Sequence, residues 1–328
     1  MYDIIIIGAG PAGTAAGIYA ARQGLNFLII TKDIGGQIGK KAVDIENYPG
    51  FNKISGSDLV KIFEEQLKKN QVKIILGEVL KISAKGQPAS GGENPKIFEI
   101  STATGKKFEA LSVIIATGAD PRMLEVPGEK EFIGKGVSYC ALCDGPIFKN
   151  KTVAVIGGGN SGFETALFLS NYIKKIYILE AGPEIKADKE NQDLILKTGK
   201  VEIIKNAKVL KISAKGQPAS GGEGPKLVGS LTYLDTKSNK ENILETDGIF
   251  VEVGYSPATA FAKSLVDFSD RDEIMVQPET FQTKTTGLFA VGDCNMGKYK
   301  QIVTAAGEGA KASLAVYEYL KRNSNGKN

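Results

Sequence analysis

The feature that most constrains the fold of this sequence is a strand, a glycine-rich turn and a helix that follow one another twice. In the first occurrence an apolar strand over Asp3–Ile7 leads into Gly8–Gly13, which has the spacing Gly-x-Gly-x-x-Gly. A helix over Ala12–Gln23 and an apolar strand over Asn26–Ile30 complete a predicted βαβ unit. An ordinary strand–helix turn is the alternative, but this context favours a dinucleotide fingerprint.

The second occurrence lies in mid-chain. A predicted strand over Thr152–Ile156 precedes Gly157–Gly162, a helix that ends near Asn171 and a strand over Lys175–Leu179. In each fingerprint the first glycine allows a tight turn and the second lets the backbone approach a pyrophosphate, while the third lets the helix pack on the strand. Two such units in one chain predict two nucleotide-binding folds.

The residue that ends the second strand differs between the two units. Glu180 occupies this place in the second unit, where a carboxylate can accept hydrogen bonds from a ribose 2′-hydroxyl, whereas the first unit has Thr31-Lys32. The nearby cations in the sequence are Lys186 and Lys189. The second unit is therefore the predicted nicotinamide site. Its predicted cofactor-binding residues are Gly157, Gly159, Asn160, Ser161, Glu180 and Gly254.

The order of elements predicts an α/β protein of two three-layer Rossmann-like domains, the first of them discontinuous. A strand-rich stretch follows each βαβ unit, and a strand over Leu288–Val291 with a long helix from about Ala305 returns to the first domain. Segments that contain glycine and proline are the predicted points at which the chain crosses between the domains. They give a first domain of residues 1–118 and 254–328. Residues 119–253 form the predicted second domain.

An internal copy lies within the two strand-rich stretches. Val79–Glu93 and Val209–Glu223 are identical in sequence. An old duplication would have left similarity throughout both domains, so we interpret the copy as recent and place it at equivalent surface hairpin tips. A functional role for the copied loop is the alternative.

The absence of histidine from the chain narrows its chemistry. Catalytic sites of the Ser/His/Asp and Cys/His types are excluded, and three cysteines cannot fill four soft ligand positions, so no metal site is expected. A net charge of +4 spread along the chain predicts no nucleic-acid partner. With no apolar run near 18 residues and no export signal, we expect no membrane association and a cytoplasmic location.

Cys140 and Cys143 form a Cys-x-x-Cys pair ahead of the second fingerprint. Such a pair can be a metal clip, a chance occurrence or a redox couple, and the redox couple is favoured because partner ligands for a metal are missing. Asp144 is the nearest proton carrier, and a role as a helix N-cap is an alternative compatible with it. Cys294 has no close partner in the sequence and is interpreted as a packed small side chain.

Several motifs occurring in order make the chain resemble the low-molecular-weight thioredoxin reductases. They cover nearly the whole chain apart from the copied loops, and their joint occurrence is highly specific. The motifs are Gly8–Gly13, Gly35-Gly36-Gln37, Glu46-Asn47-Tyr48-Pro49-Gly50, Ala116-Thr117-Gly118, Cys140–Gly145 and Gly292-Asp293.

The resemblance implies FAD in the first domain and a nicotinamide cofactor in the second. It implies that Cys143 faces the flavin, that Cys140 attacks the disulfide of a partner, and that Asp144 is the acid/base. It also implies a homodimer whose domains rotate between two states. The implied FAD-binding residues are Gly8, Gly10, Pro11, Ala12, Gly13, Thr31, Gly36, Gln37, Asn47, Ala116, Thr117, Gly118, Gly292, Asp293, Lys300, Gln301 and Ile302.

One departure from the family pattern concerns the electron donor. Members that use NADPH carry an arginine-rich run after the second strand, whereas Leu179–Asp188 contains no arginine. This segment resembles the reductase portion of the alkyl hydroperoxide reductase flavoprotein, which uses NADH. NADH is therefore expected in preference to NADPH. That flavoprotein carries an extra N-terminal thioredoxin-fold region, which we expect a free-standing redoxin to replace here, because the first fingerprint begins at residue 8.

Three functions stay open at this point. The first is a thioredoxin-disulfide reductase that serves thioredoxin or a glutaredoxin-like redoxin. The second is the electron-donating flavoprotein of an alkyl hydroperoxide reductase system with a peroxiredoxin as acceptor. The third, a non-catalytic flavin-bound redox sensor, is disfavoured by the intact Cys-x-x-Cys pair, Asp144 and the second fingerprint.

Overall fold

The computed structural model describes residues 1–41, 44–85, 97–215 and 227–325. The chain divides into two compact units. Unit 1 comprises Met1–Asp120 and Ser256–Asn328, and unit 2 comprises Pro121–Tyr255. No helix within the described residues combines the length and apolar character that crossing a membrane requires.

Unit 1 begins with the first fingerprint between a strand and a helix. Its N-terminal elements are β1 (Tyr2–Ala9), α1 (Pro11–Arg22), β2 (Phe27–Ile34), α2 (Gln37–Lys41), β3 (Asp44–Ile45), β4 (Ile54–Ser55), α3 (Gly56–Lys69), β5 (Ile74–Leu76), β6 (Val79–Lys85), β7 (Ile97–Thr102), β8 (Lys107–Ile115) and β9 (Ala119–Pro121).

Unit 2 carries the second fingerprint in the same setting. Its elements are β10 (Val137–Ser138), α4 (Ala141–Asp144), β11 (Thr152–Ile156), α5 (Asn160–Leu169), β12 (Lys175–Leu179), α6 (Lys189–Lys197), β13 (Val201–Ile204), β14 (Ala207–Ala214), β15 (Val228–Asp235), β16 (Lys240–Glu245), β17 (Gly248–Val251) and β18 (Tyr255–Pro257), the last of which crosses into unit 1. The chain then ends with β19 (Leu288–Ala290) and α7 (Ile302–Asn325).

The sheet of unit 1 has the order β5-β2-β1-β8-β7-β6, with β19 parallel to the second half of β8. The middle of β1 is buried on both faces, which explains its unbroken apolar run Ile4–Ile7. Ile4 and Ile6 pack against α1 and α7, whereas Ile5 and Ile7 pack toward β6, β7 and the segment that contains Val266. The parallel strands β5, β2, β1, β8 and β19 are therefore the middle of three layers, and β6 and β7, which continue the sheet from the first half of β8, contribute to one outer layer.

Unit 2 repeats the three-layer arrangement with a separate outer sheet. Its parallel sheet has the order β10-β17-β11-β12-β13, and β14-β15-β16 form an antiparallel sheet. Val153 and Val155 of β11 pack toward α5 and α6, whereas Ala154 and Ile156 pack toward the antiparallel sheet. The carboxyl ends of the parallel strands all meet at one edge, where the second fingerprint lies.

The described parts of the two copies of the repeated peptide lie in strands that pair antiparallel with the next strand of the chain. β6 pairs with β7, and β14 pairs with β15. The pairing register shifts between Val79 and Lys81 in the first hairpin and between Val209 and Lys211, the corresponding copied residues, in the second. The predicted hairpin tips lie outside the described residues.

Candidate active site

The first fingerprint forms a turn that only glycine fits at two positions. Gly8 has φ +105°, and a Cβ there would lie 2.3 Å from the carbonyl oxygen of Ala116. A Cβ on Gly13 would lie 1.9 Å from the carbonyl oxygen of Gly8. Gly10 has no neighbour within 4 Å of its Cβ position, and no side chain caps the start of α1. The turn therefore leaves open space beside uncapped helix amides, as an anion site requires.

The other residues predicted to hold FAD converge around this turn. A Cβ built on Gly36 would lie 3.5 Å from the Cα of Gly10, and a Cβ built on Gly292 would lie 3.1 Å from the Cβ of Ala12. The Asn47 amide donates to Gln301 Oε1 at 3.2 Å. These contacts bring distant parts of the sequence to one edge of the unit 1 sheet.

Two hydroxyl groups near the fingerprint differ in their partners. Thr31 Oγ1 accepts from the amide of Ala9 at 3.1 Å and donates to the Asp33 carbonyl at 2.5 Å. Thr117 Oγ1 is buried beside the weakly bonding thiol of Cys294 and has no nitrogen or oxygen partner among the described residues. A buried hydroxyl without a partner is costly in a folded protein, so Thr117 fits a site completed by a polar ligand.

The Gly292-Asp293 turn is held by an acidic side chain of α7. Glu308 Oε2 accepts from the amide of Gly292 and from Asn295 Nδ2, both at 2.7 Å. Burial raises the pKa of Asp293 to about 6, which the cation of Lys300 opposes and Glu308 reinforces. Lys300 itself is mostly buried in a 3.0 Å ion pair with Glu273. The predicted residues Gln37 and Ile302 lie in unit 1 as well, at the starts of α2 and α7.

The second fingerprint reproduces the geometry of the first. A Cβ on Gly157, where φ is +126°, would lie 2.4 Å from the carbonyl oxygen of Glu252, and one on Gly162 would lie 2.0 Å from that of Gly157. Gly159 has open space, and no side chain caps the start of α5. Asn160 Nδ2 donates to Asp188 Oδ2 at 2.9 Å, which joins the next loop to the turn.

Glu180 is tied to the backbone through both carboxylate oxygens. Oε2 accepts from the amide of Gly158 at 2.7 Å, and Oε1 accepts from the amide of Gly182 at 2.8 Å. Glu180 also lines a cavity of about 200 Å³, whose wall includes Lys208 and Val209 of β14. Lys186 and Lys189 are the cations that the sequence places near Glu180. The structure adds Lys208, which folding of the antiparallel sheet brings to the cavity.

Cys140 and Cys143 are joined by a disulfide with a Cα–Cα distance of 5.3 Å. Cys140 is the N-cap of α4, where its Sγ accepts from the amide of Cys143 at 3.2 Å. Cys143 is exposed and Cys140 is half-buried. The pair is therefore a disulfide at the start of a helical turn, with the exposed residue of the pair inside the helix.

Asp144 lies at the end of α4, and its carboxyl is the acceptor of a short hydrogen bond. Ser138 Oγ donates to Asp144 Oδ2 at 2.5 Å and also accepts from the amide of Cys140 at 3.1 Å. Burial raises the pKa of Asp144, and the Ser138 hydroxyl partly opposes this shift. Asp144 occupies the N-cap position of the 3-10 helix Gly145–Phe148, but its side chain bonds no amide there, and Cys140 is the cap of α4.

Cys294 is the third cysteine and is fully buried. Its thiol donates to the carbonyl of Val291 at 3.2 Å, and burial raises its pKa to about 11. A thiol that stays protonated is a poor nucleophile. The interpretation of Cys294 as a packed side chain is confirmed.

Sequence reasoning missed several polar residues at these sites. Each of them lies close to a predicted site residue in the folded chain, but none belongs to a recognisable sequence motif. Glu252 is found only in the folded chain, where Gly157 approaches its carbonyl as Gly8 approaches that of Ala116. The missed residues are Ser138, Thr165, Lys208, Glu252 and Glu308.

Comparison with known proteins shows which protein family and which solved structures the chain is similar to. The family model described as pyridine nucleotide-disulphide oxidoreductase matches residues 2–309. An alkyl hydroperoxide reductase subunit of Escherichia coli (strain K12) is 41% identical over 323 residues, which cover 98% of this chain and 58% of that protein. A protein of Bacillus subtilis (strain 168) named NADH dehydrogenase is 36% identical over 322 residues, which cover 98% of this chain and 59% of that protein. The chain thus spans less than two thirds of these curated relatives.

Solved structures match over nearly their whole length. Thioredoxin reductase from Streptococcus pyogenes MGAS5005 has a TM-score of 0.86 at 36% identity, with 98% of this chain and 99% of that chain covered. Thioredoxin reductase from Giardia duodenalis has a TM-score of 0.87 at 31% identity, with the same coverage. These similarities confirm the predicted fold class and the resemblance drawn from the motifs.

Proposed function

Because the chain belongs to the pyridine nucleotide-disulphide oxidoreductase family, we propose that it transfers electrons from NADH, through FAD, to the Cys140–Cys143 disulfide and on to a small redoxin. The observation that carries the proposal is the disulfide at the start of α4, within the unit that also carries the second fingerprint. Bound FAD and nicotinamide supply the hydride chemistry that these side chains lack.

In this proposal unit 1 holds FAD and unit 2 holds the nicotinamide nucleotide. The open space at Gly10 and the buried hydroxyl of Thr117, which has no nitrogen or oxygen partner among the described residues, support the first assignment. The amides at the start of α1 bind the pyrophosphate, and Asp293 binds a hydroxyl of the sugar chain.

Glu180 favours NADH over NADPH. Its oxygens retain lone pairs beyond the two backbone bonds and accept hydrogen bonds from the ribose hydroxyls. A 2′-phosphate in the same place would meet a carboxylate, and Lys208 is a poorer phosphate partner than an arginine fork.

The reduced disulfide completes the cycle by thiol exchange. Two electrons and two protons convert Cys140–Cys143 to a dithiol, with Cys143 toward the flavin. The Cys140 thiolate then attacks a disulfide sulfur of the redoxin, and Cys143 resolves the mixed disulfide, so that the redoxin leaves as a dithiol. Asp144 holds a proton more readily than an ordinary carboxyl because of its burial, and it delivers that proton to the departing thiolate.

The assembly and the location extend the proposal. We place the protein in the cytoplasm as a homodimer, on the resemblance to thioredoxin reductases, and light scattering of the purified protein tests the dimer.

The decisive test is a steady-state assay with NADH and NADPH side by side, using thioredoxin, a glutaredoxin-like redoxin and a peroxiredoxin as acceptors. The Cys140→Ser and Cys143→Ser variants should each abolish acceptor reduction while NADH still reduces the flavin in stopped flow. Cys294→Ser is the matched control and should behave as wild type. Acceptor turnover that persists in either Cys140→Ser or Cys143→Ser would mean that electrons leave by another route.

A second function is favoured by one specific observation, the 41% identity to the Escherichia coli alkyl hydroperoxide reductase protein. In that case the electrons pass to a peroxide-reducing partner. Rapid reduction of the peroxiredoxin, with thioredoxin reduced slowly or not at all, would distinguish this function from the first.

A further inference from the structure

The strand order of unit 2 locates the two halves of a bound dinucleotide. The parallel order β17-β11-β12 puts β11, which carries the fingerprint, between two neighbours reached by opposite crossovers. A dinucleotide lies across the carboxyl ends of strands at such a point, with its pyrophosphate at the central turn. Glu180 at the end of β12 marks the adenosine half. The end of β17 therefore belongs to the nicotinamide half.

Glu252 is the first residue after β17. Its amide donates to the Ile156 carbonyl at 2.8 Å, and its carbonyl is the atom that Gly157 approaches. Its side chain is fixed as well, because Oε1 accepts from Thr165 Oγ1 on α5 at 2.8 Å. The carboxyl group is thus held beside the second fingerprint by both backbone and side chain.

The charge of Glu252 is uncompensated within the described part of unit 2. No salt bridge reaches it there, β11 and β17 carry no titratable side chain, and the charged neighbour on α5 is the acidic Glu164. Burial raises the pKa of Glu252 to about 7; Glu164 adds to this shift, and the Thr165 hydroxyl opposes it.

Unit 1 provides an internal comparison. Ala116 occupies the position equivalent to Glu252, since a Cβ on Gly8 would lie 2.3 Å from its carbonyl oxygen and a Cβ on Gly157 would lie 2.4 Å from that of Glu252. A methyl group suffices for packing at this strand end. The carboxyl of Glu252 is therefore not required by the turn itself.

We propose that Glu252 is a specificity-determining residue that makes the second site prefer the oxidised, cationic nicotinamide ring over the neutral dihydronicotinamide. The proposal rests on the function proposed above. An ionised Glu252 attracts the positive ring of NAD⁺ and has no comparable interaction with NADH, so ionisation slows the release of NAD⁺. Protonation of Glu252 removes this attraction.

The test measures ligand affinity and not turnover. The oxidised, FAD-loaded protein is titrated calorimetrically with NAD⁺ and with tetrahydro-NAD, a neutral and redox-inactive analogue, between pH 5.5 and 8.5. The wild type should bind NAD⁺ about tenfold more tightly at the upper pH than at the lower, as a partly screened charge pair allows. Tetrahydro-NAD should show no such tightening.

Two variants complete the experiment. In Glu252→Gln the affinity for NAD⁺ should not change with pH. Glu202→Gln removes one exposed carboxylate of β13 that is paired with Lys175, and should titrate like wild type. Equal tightening of both ligands in wild type, or tightening of NAD⁺ that persists in Glu252→Gln, would overturn the inference. If NADH reduces the flavin, such a result leaves the proposed function standing; if neither ligand binds, both proposals fail.

Discussion

The two fingerprints form the same backbone turn, but the side chain that accepts a hydrogen bond from this turn differs between them. In unit 1 the amide of Ala9 donates to the hydroxyl of Thr31 at 3.1 Å. In unit 2 the amide of Gly158, at the equivalent position, donates to the carboxylate of Glu180 at 2.7 Å. The same donor thus meets a neutral acceptor in one unit and a charged acceptor in the other.

The end of the strand on the other side of each fingerprint strand, β8 in unit 1 and β17 in unit 2, also carries a neutral residue in unit 1 and a carboxyl in unit 2. Ala116 of unit 1 corresponds to Glu252 of unit 2, so both positions that border the second site carry a carboxyl where the first site has none. If the proposed function holds, the glycine turns provide the phosphate sites and the side chains at the strand ends decide which nucleotide each unit accepts.

The largest expected effect comes from breaking each turn separately. Gly8→Ala should weaken FAD binding about a hundredfold, and Gly157→Ala should leave a yellow protein whose flavin needs about a hundredfold more NADH for reduction. A Cβ that overlaps a backbone carbonyl in a strained conformation costs on the order of 3 kcal/mol, about a hundredfold in affinity. Flavin absorbance and stopped-flow reduction measure the two losses.

Matched controls exist for both variants. Gly105 and Gly199 also have positive φ, but nothing lies within 4 Å of their Cβ positions. Gly105→Ala and Gly199→Ala should therefore retain both cofactor functions. A colourless Gly157→Ala protein would show that the two turns are not independent.

The next effect concerns the stability of unit 2 as a function of pH. The folded-state pKa of Glu252 is raised from 4.5 to about 7. The native state then binds more protons than the unfolded state between these values, so stability falls as pH rises through this window. The loss above pH 7 is at most about 3 kcal/mol. Thermal unfolding of Glu252→Gln should depend less on pH than that of wild type, whereas parallel curves would contradict the shift.

Exchanging the charge at the end of β12 should give a smaller change. Wild-type kcat/KM should favour NADH at least tenfold, since charge-assisted bonds are worth about 1.5–3 kcal/mol each and a carboxylate repels the 2′-phosphate. Glu180→Arg should move the ratio toward NADPH. Comparable kcat/KM values for the two cofactors in wild type would refute the role given to Glu180.

The smallest effect is expected at the equivalent position of unit 1. Thr31→Val removes the acceptor for the Ala9 amide and should weaken FAD binding about fivefold, the worth of one neutral hydrogen bond of about 1 kcal/mol. Fluorescence titration of the apoprotein with FAD measures this loss. Thr31→Ser keeps the acceptor and is the control.

Much of the fold follows from local sequence. β11 and β12 have the predicted bounds because strands buried on both faces are short, continuous apolar runs. The last helix begins at Ile302 and not near Ala305, because Gln301 and Thr304 form a local hydrogen bond that starts it earlier. α5 ends at Leu169, where the Ser170 hydroxyl turns back to the carbonyl of Leu167.

The site was predictable where a motif carries it and not where tertiary contacts assemble it. The Cys140–Cys143 pair and both glycine turns are local patterns. Glu252 joins the second turn through the parallel pairing of β11 with β17, and Lys208 reaches the cavity through the antiparallel sheet. No spacing in the sequence encodes such contacts.

The two copies of the repeated peptide share a register shift at corresponding residues. One stretch of sequence produces the same bulge against two different partner strands, β7 and β15, in two different sheets. This shift accompanies the copied sequence, whereas a second shift, between Ser213 and Ala214, occurs in β14 and not at the corresponding residues of β6. For protein engineering, the copied peptide is a segment that can be transferred from one hairpin to another. A foreign sequence inserted in both copies would not change any residue of the two glycine-rich turns.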